Sequence, residues 1–164
     1  FSAAEARTLA GDMVPVEASA PGEGKLAFTL RVPIGVVGAI SPFNFPLNLV
    51  AHKVAPAIAA GCPVVLKPAS QTPLSALALA HLLLDECGLP AGWLNVVTGS
   101  GGAVGDPLVT HDDVAMVTFT GSPPVGWSIR QKVPRKKVSL EELPENVIKL
   151  QTDRSECKVT YIAK

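Results

Sequence analysis

The sequence lacks a net charge, is poor in cysteine and has no apolar run long enough to cross a membrane. Its 14 basic residues balance 14 acidic ones, so no positive field favours nucleic acid or an anionic membrane surface. The three cysteines form no CxxC pair, which argues against a disulfide framework or a zinc site and favours a reducing compartment. No apolar stretch reaches the roughly 20 residues of a membrane helix. We therefore expect a cytoplasmic protein that binds no nucleic acid, membrane or metal ion.

The sequence shows no internal repeat. Because no basic segment followed by an apolar one opens the chain, we also expect no signal peptide in it. Since the chain begins with Phe1 rather than Met, we expect a fragment of a longer protein. Half of the charged residues lie at or after Arg130, whereas all 14 glycines lie at or before Gly126. This shift in charge and glycine content towards the C-terminus predicts a domain over residues 1–141, which includes an N-terminal arm, followed by a divergent tail over residues 142–164. We expect the tail to form a hairpin or one added strand.

Short β-rich runs alternate with helix-length segments over the first domain, a pattern typical of parallel strands joined by crossover helices. Most runs do not alternate apolar with polar residues, as expected of strands buried on both faces. We predict an α/β fold with a doubly wound, Rossmann-like, mostly parallel five-stranded sheet and helices on both faces. The predicted strands are Gly35–Ile40, Pro63–Lys67, Leu94–Thr98, Ala115–Phe119 and Lys137–Glu141.

Three more elements are predicted around this sheet. Apolar and polar residues alternate over residues 26–32, which indicates a half-exposed strand outside the sheet, as an edge or an arm. One helix is predicted from Pro46 to a C-terminal cap at Gly61, and another over residues 72–88. Because the second helix is apolar nearly all round, we expect an oligomer interface or a second domain to cover it. A homo-oligomer is therefore expected.

Two glycine-rich turns follow predicted strands. The first, Thr98–Gly105, offers backbone amides to a phosphate, but Val104 stands where the GxGxxG fingerprint requires glycine. In the second, Thr120–Gly126, Ser122 is a natural N-cap, and a dinucleotide pyrophosphate would accept bonds from its hydroxyl and nearby amides. A plain strand-to-helix turn and a plain capping motif remain the alternatives.

Two single residues also suggest a function. A charge on Lys67, at the end of a buried strand, is costly unless it binds ribose hydroxyls or a phosphate; the alternative is a lysine that snorkels at a sheet edge. The amide nitrogen of Asn44 suits a developing oxyanion; the alternative is a bond to the local turn backbone. The histidines share no ligand spacing, and His81 is interpreted as a core or interface residue. The basic run over residues 130–137 is interpreted as a solvated connector.

Four motifs taken together resemble the aldehyde dehydrogenase superfamily: Ser41–Pro46, Lys67–Pro73, Phe119–Gly126 and Val138–Glu141. The resemblance covers about residues 26–141 and corresponds to the coenzyme-binding domain of the family. It implies oxidation of an aldehyde to a carboxylic acid with NAD or NADP as coenzyme. The aldehyde would be the substrate of the full-length enzyme.

The resemblance also implies roles for single residues. Asn44 would stabilise the oxyanion, and Glu141 would be the general base, although the doubled glutamate leaves Glu142 as an alternative. Lys67 would contact the adenosine ribose, and residues 121–126 would bind the pyrophosphate. The implied coenzyme contacts are Ile40, Ser41, Pro42, Phe43, Lys67, Ser70, Gly99, Gly101, Gly105, Phe119, Gly121, Ser122, Val125 and Gly126.

The chain departs from the family pattern at three places. Phe43 stands where many members have tryptophan, so an indole N–H donor is missing. Ser70 stands where NAD-specific members often have glutamate, so we expect NADP to be tolerated, because no carboxylate repels a 2′-phosphate. The glycine pair expected after Glu141 is missing, and Cys157 lies outside the expected glycine-glutamine-x-cysteine setting. We therefore expect no turnover by this chain alone; the alternative function is a non-catalytic dinucleotide-binding module or a structural fragment.

Overall fold

The computed structural model describes residues 1–142. An N-terminal arm precedes the main sheet and contains helix α1 (Ser2–Ala6) and two short antiparallel strands, β1 (Met13–Val14) and β2 (Ala27–Phe28). The predicted strand over residues 26–32 therefore does lie outside the main sheet, but only two of its residues pair. Residues 143–164, with most of the predicted tail and its hairpin, lie outside the described residues.

The main sheet has five strands, and every neighbouring pair is parallel. This confirms the predicted α/β class and doubly wound sheet. The strands are β3 (Val36–Ile40), β4 (Val64–Lys67), β5 (Leu94–Val96), β6 (Val114–Gly121) and β7 (Lys137–Glu142). Their order in the sheet is β5-β4-β3-β6-β7.

A helix follows each of the first four strands of this sheet. They are α2 (Asn48–Ala59), α3 (Leu74–His81), α4 (Asp106–Thr110) and α5 (Pro123–Lys132). The chain first moves outward from β3 to β5 and then returns to place β6 on the other side of β3. The strand order therefore reverses at β3, and open α/β sheets bind ligands in the crevice at such a point.

The apolar core consists of two clusters that lie against different helices. One cluster joins α2 and α3 to the sheet and includes Val37, Val54 and Ala76. The other joins α4 and α5 to the sheet and includes Val109 and Ile129. Since neighbouring residues of β3 contribute to both clusters, the strand has apolar residues on both faces. This explains why the predicted strands did not alternate.

The ends of the two long predicted helices are close to expectation. Helix α2 begins two residues after Pro46, and Gly61 has a φ of +76° just past its end, which is the left-handed conformation of a C-terminal cap. Helix α3 continues through a π-helical turn over Leu82–Glu86. Leu74 and Leu77 on α3 are exposed, so part of its apolar surface is not covered by residues 1–142.

Two interpretations of charged residues are refined by the structure. His81 is exposed on the surface of α3, with its Nδ1 2.5 Å from Asp85 Oδ2, so it is not a core histidine, and the interface alternative stays a prediction. Most of the basic run is exposed, as expected of a solvated connector, and Lys136 in addition donates to the carbonyl oxygens of Val109 and His111 and thereby caps the end of α4. Within residues 1–142, no helix is both long and apolar enough to span a membrane.

Candidate functional site

The carboxyl ends of the parallel strands lie at one edge of the sheet. In the ladder, Ile40 is the register partner of Lys67 on one side and of Phe119 on the other. Across the next pair of strands, Thr120 is the partner of Glu141. Three of the four sequence motifs begin or end at one of these residues, and the fourth, Ser41–Pro46, begins directly after Ile40. The fold therefore places them side by side along the edge where the strand order reverses.

Lys67 is buried at the end of β4, with 6% of its surface exposed. Its ammonium group donates to the carbonyl oxygen of Pro68 at 3.5 Å and forms no ion pair with a carboxylate among residues 1–141. Burial lowers the pKa of Lys67, because the charged form loses solvation. β4 is an interior strand, so Lys67 lies at the carboxyl edge of the sheet and not on an edge strand. Binding of ribose or phosphate by Lys67 stays a prediction beside the snorkelling alternative.

The first glycine-rich turn packs beside Lys67. A Cβ atom on Gly105 would lie 3.7 Å from Lys67 Cδ. The turn is fixed by Ser70, whose hydroxyl donates to the carbonyl oxygen of Gly99 at 2.9 Å. Gly99 has a φ of +153°, and a Cβ there would come within 2.4 Å of Val104, so this position requires glycine. The turn therefore has a structural role of its own.

The exposed part of the same turn is open. Nothing lies within 4 Å of a Cβ atom built on Gly101 or Gly102. Ser100 is the N-cap of a π-helical turn over Gly101–Gly105, and its hydroxyl accepts from the amide of Ala103 at 3.1 Å. The open glycines leave space for a ligand to approach the backbone closely.

The second glycine-rich turn opens helix α5, as predicted. Ser122 occupies the N-cap position and Pro123 the first helical position, but the Ser122 hydroxyl does not cap the helix. The hydroxyl therefore does not form the capping hydrogen bond that the plain capping motif would require. A Cβ on Gly121 would lie 2.4 Å from the Phe119 ring, so the turn needs glycine there. Val125 is exposed, and Gly126 is buried.

The segment after β3 holds Asn44. Phe43 is exposed, and its carbonyl oxygen accepts from the Thr72 hydroxyl at 3.2 Å, which ties the segment to the turn before α3. Phe45 has a φ of +47°, a left-handed conformation that is rare for a residue with a side chain. Asn44 Oδ1 is buried without a hydrogen-bond partner among the described residues, so the predicted alternative, a bond to the local turn backbone, is not formed by this atom.

Pro42 and Ser41 connect Asn44 to the sheet. Pro42 is half-buried, whereas Ser41 has 4% of its surface exposed. The Ser41 amide donates to the carbonyl oxygen of Lys67 at 3.2 Å, which extends the β3–β4 ladder by one residue. The Ser41 hydroxyl is buried and has no partner among residues 1–142.

Glu141 lies in a polar cluster at the end of β7. The Thr120 hydroxyl donates to Glu141 Oε2 at 2.8 Å. The buried ammonium group of Lys53 lies 3.7 Å from the same oxygen and also donates to the Thr120 hydroxyl. His52 Nδ1 lies 3.8 Å from the other oxygen, Oε1. The side chain of Glu142 lies outside the described part of the chain.

Burial dominates the electrostatics of Lys53. Its side chain is 2% exposed, and loss of solvation lowers its pKa to about 8, although the charge and hydrogen bonding of Glu141 act in the opposite direction. The ammonium group is therefore close to losing its proton at neutral to mildly alkaline pH. Lys53 thus places a buried cation of helix α2 beside the carboxylate on β7.

Sequence reasoning missed Lys53 and Thr120 and gave His52 no chemistry. One signal for Lys53 was present, because its position lies on the buried stripe of α2 with Leu49, Val50 and Ala57. A lysine among apolar residues at helical spacing needs a buried partner. Thr120 gave no comparable signal, since a threonine in a strand is common.

The model of the aldehyde dehydrogenase family matches residues 1–148. The chain belongs to the aldehyde dehydrogenase family. A 3-sulfolactaldehyde dehydrogenase of Priestia aryabhattai is 56% identical over 141 residues, which are 86% of this chain and 29% of that protein. The family match starts at residue 1, so it includes the N-terminal arm that the sequence motifs left out.

Solved aldehyde dehydrogenase structures share the fold. An NADP-dependent enzyme of E. coli has a TM-score of 0.81 and 45% identity over 88% of this chain and 29% of its own. An NAD-dependent aldehyde dehydrogenase of Sinorhizobium meliloti has a TM-score of 0.79 and 41% identity over 86% of this chain and 28% of its own. The chain thus spans less than a third of the length of these family members.

Neither of the two described cysteines lies at the carboxyl edge of the sheet, where the candidate site is. Cys62 is buried just before β4 begins, and the exposed Cys87 follows the end of the helical segment that leads to β5. Both positions are at the amino edge of the sheet, opposite Lys67 and Glu141. Cys157 lies outside the described residues. Among the described residues, no group of three or more His, Cys, Asp or Glu side chains is arranged to hold a metal ion.

Proposed function

We propose that this chain is the coenzyme-binding part of an NAD- or NADP-dependent aldehyde dehydrogenase, which oxidises an aldehyde to a carboxylic acid. The buried ammonium group of Lys67 carries the proposal. It lies at the end of β4, beside the strand β3 at which the strand order reverses, and has no carboxylate partner among residues 1–141. A dinucleotide has ribose hydroxyls and phosphate oxygens that would accept from this group. Open α/β sheets bind dinucleotides in the crevice at the carboxyl ends of their strands, which is where Lys67 lies.

The neighbouring turns fit an extended dinucleotide. The open space over Gly101 and the uncommitted hydroxyl of Ser122 at the start of α5 suit phosphate oxygens. The exposed ring of Phe43 offers a stacking surface. A nicotinamide coenzyme bound by these residues would supply the hydride acceptor for the oxidation. NAD and NADP are both named for the solved relatives, and the proposal extends this pair of coenzymes to the present chain.

Two residues of the chain would act on the substrate. The Asn44 amide nitrogen would donate to the substrate oxygen as that oxygen gains negative charge. Glu141 would accept a proton from the attacking water in the hydrolysis step. Thr120 and Lys53 both reach Oε2, so Oε1, which faces His52, is the oxygen available to take the proton.

The choice of coenzyme follows from Ser70. Its hydroxyl is committed to the carbonyl oxygen of Gly99, close to the turn that packs on Lys67. Without a carboxylate at this position, a 2′-phosphate meets the Lys67 cation and no opposing negative charge. The proposal is therefore that the chain accepts NADP as well as NAD.

The remaining functions would come from outside residues 1–142. A thiolate nucleophile is needed to form the thioester that water hydrolyses, and neither Cys62 nor Cys87 lies at the carboxyl edge. We therefore propose coenzyme binding without turnover for the chain alone, in a cytoplasmic protein whose full-length form is a homo-oligomer. The exposed leucines of α3 support the proposed homo-oligomer, because an exposed apolar surface is typical of a protein–protein interface. The alternative is a structural fragment that binds no dinucleotide.

Calorimetric titration of the chain with NAD and with NADP tests the proposal. We expect both to bind, and we expect Lys67→Ala to weaken binding roughly tenfold or more, because a charge-assisted hydrogen bond is lost. Lys25→Ala, at an exposed position, is the matched control and should bind as the wild type does. Absence of binding by either coenzyme would favour the structural fragment. Aldehyde-dependent reduction of the coenzyme would contradict the proposed lack of turnover.

A further inference from the structure

Two buried polar atoms in the described part of the chain have no hydrogen-bond partner. They are Ser41 Oγ and Asn44 Oδ1. Nearly all buried polar atoms in folded proteins have a partner, and an unpaired one is costly. These two lie three residues apart in one short segment that leaves β3. The cost is thus concentrated at a single place in the fold.

The two atoms are chemically complementary. A serine hydroxyl can donate, and an amide oxygen can only accept. Both atoms are shielded from solvent, so neither is satisfied by bulk water or by a ligand that binds at the surface. A buried water molecule that bridges two such groups is a common solution, because it makes several hydrogen bonds with otherwise unpaired atoms.

The backbone around the pair is held in place on both sides. The Ser41 amide is bonded to the carbonyl oxygen of Lys67, and the carbonyl oxygen of Phe43 is bonded to Thr72. Pro42, between them, has a restricted φ. The backbone on both sides of the segment is therefore held by the sheet and by the turn before α3.

We propose that Ser41 is a positioning residue for Asn44: its hydroxyl and the Asn44 side-chain oxygen form one hydrogen-bonded unit, closed by a bridging buried water. The unit holds Oδ1 on the inside of the segment, so that the amide nitrogen is the end of the side chain left to donate to a substrate. The use of that nitrogen rests on the proposed function. The hydrogen-bonded unit itself does not.

A double-mutant cycle on the full chain tests the unit. Urea denaturation is measured for the wild type, Ser41→Ala, Asn44→Ala and the double variant. We expect Ser41→Ala to raise the unfolding equilibrium constant roughly fivefold, the effect of losing one hydrogen bond. In the Asn44→Ala background the same change should have little effect. If Ser41→Ala instead stabilises the chain, or if the two effects simply multiply, the unit does not exist.

A spectroscopic readout separates positioning from simple loss of stability. In ¹H–¹⁵N spectra the side-chain amide signals of Asn44 should move in Ser41→Ala and return towards their wild-type position in Ser41→Thr, which keeps the hydroxyl. Ser128→Ala, at an exposed position on α5, should leave them in place. Unmoved Asn44 signals in Ser41→Ala would overturn the proposal. Because neither measurement uses a coenzyme, failure of the proposed function leaves this test intact.

Discussion

The Thr120 hydroxyl donates to Glu141 Oε2 at 2.8 Å, between two residues that are register partners in the β6–β7 ladder. The bond therefore follows directly from strand pairing. Thr120 is 1% exposed and accepts in turn from Lys53. One hydroxyl thus links a buried cation to a half-exposed carboxylate and fixes which carboxylate oxygen faces the protein interior.

Replacement of Thr120 by valine should destabilise the chain by about 1–3 kcal/mol, because Lys53 keeps its burial and loses a hydrogen-bond acceptor. Urea denaturation at pH 7 measures the effect. Thr118→Val is the matched control, since Thr118 also accepts from Lys53 but at the longer distance of 3.5 Å. Equal losses for the two variants would contradict the central role of Thr120.

The stability of the chain should depend on pH through Lys53. Its pKa is about 8 in the folded state, against the ordinary lysine value of 10.5, so the unfolded chain binds more protons between these values. Stability should therefore rise as the pH increases from 8 to 10.5, by about 1–3 kcal/mol from this group. The measurement is the difference in unfolding free energy between the wild type and Lys53→Met across this range. A difference that does not vary with pH would contradict the depressed pKa.

Glu141 should keep the pKa of Lys53 higher than burial alone would allow. The carboxylate opposes the effect of burial by its charge and its hydrogen bonding, so Glu141→Gln should lower the pKa of Lys53 below about 8. Titration of ¹³C-labelled lysine side chains followed by NMR gives this value directly. The control is Glu86→Gln, an exposed glutamate on the π-helical turn after α3, which should have no effect on Lys53.

Two glycines of the first turn should respond differently to alanine. Gly99→Ala should destabilise the chain by about 1–3 kcal/mol, because a side chain is strained at its φ and would contact Val104. Gly101→Ala should leave stability nearly unchanged, since the space around it is open. It should nevertheless weaken NAD binding if this turn approaches a phosphate. Thermal unfolding and calorimetry on both variants separate the two effects, and unchanged NAD affinity in Gly101→Ala would remove this turn from the coenzyme site.

A carboxylate at position 70 should change the coenzyme preference. Ser70→Glu should raise the ratio of the NADP Kd to the NAD Kd roughly tenfold or more, because the introduced charge repels a 2′-phosphate. Ser70→Gln has a similar size without the charge and should leave the ratio near its wild-type value. Competitive calorimetry with the two coenzymes gives both constants. An identical ratio in the two variants would show that position 70 does not face the phosphate.

The main sheet could be predicted from the sequence because its strands are continuous apolar runs bounded by glycine and proline. Lys67 and Ser122 were chosen as candidates for the same reason, since each lies at the boundary of a predicted element. The partners of Glu141 could not be found in this way. Lys53 and Thr120 are 67 residues apart in the chain, and only strand order brings them together. The sequence could not decide between the core and the interface for His81, because α3 is apolar on faces that the described residues do not cover.

The bond between Lys53 and Thr120 also has a consequence for folding. Lys53 belongs to the helix that packs in the first apolar cluster, whereas Thr120 lies in the strand that starts the other half of the sheet. A chain that has assembled only its first half would therefore lack both hydroxyls that accept from Lys53. The contacts of the proposed general base with Thr120 and Lys53 form only once β6 and β7 have joined the sheet.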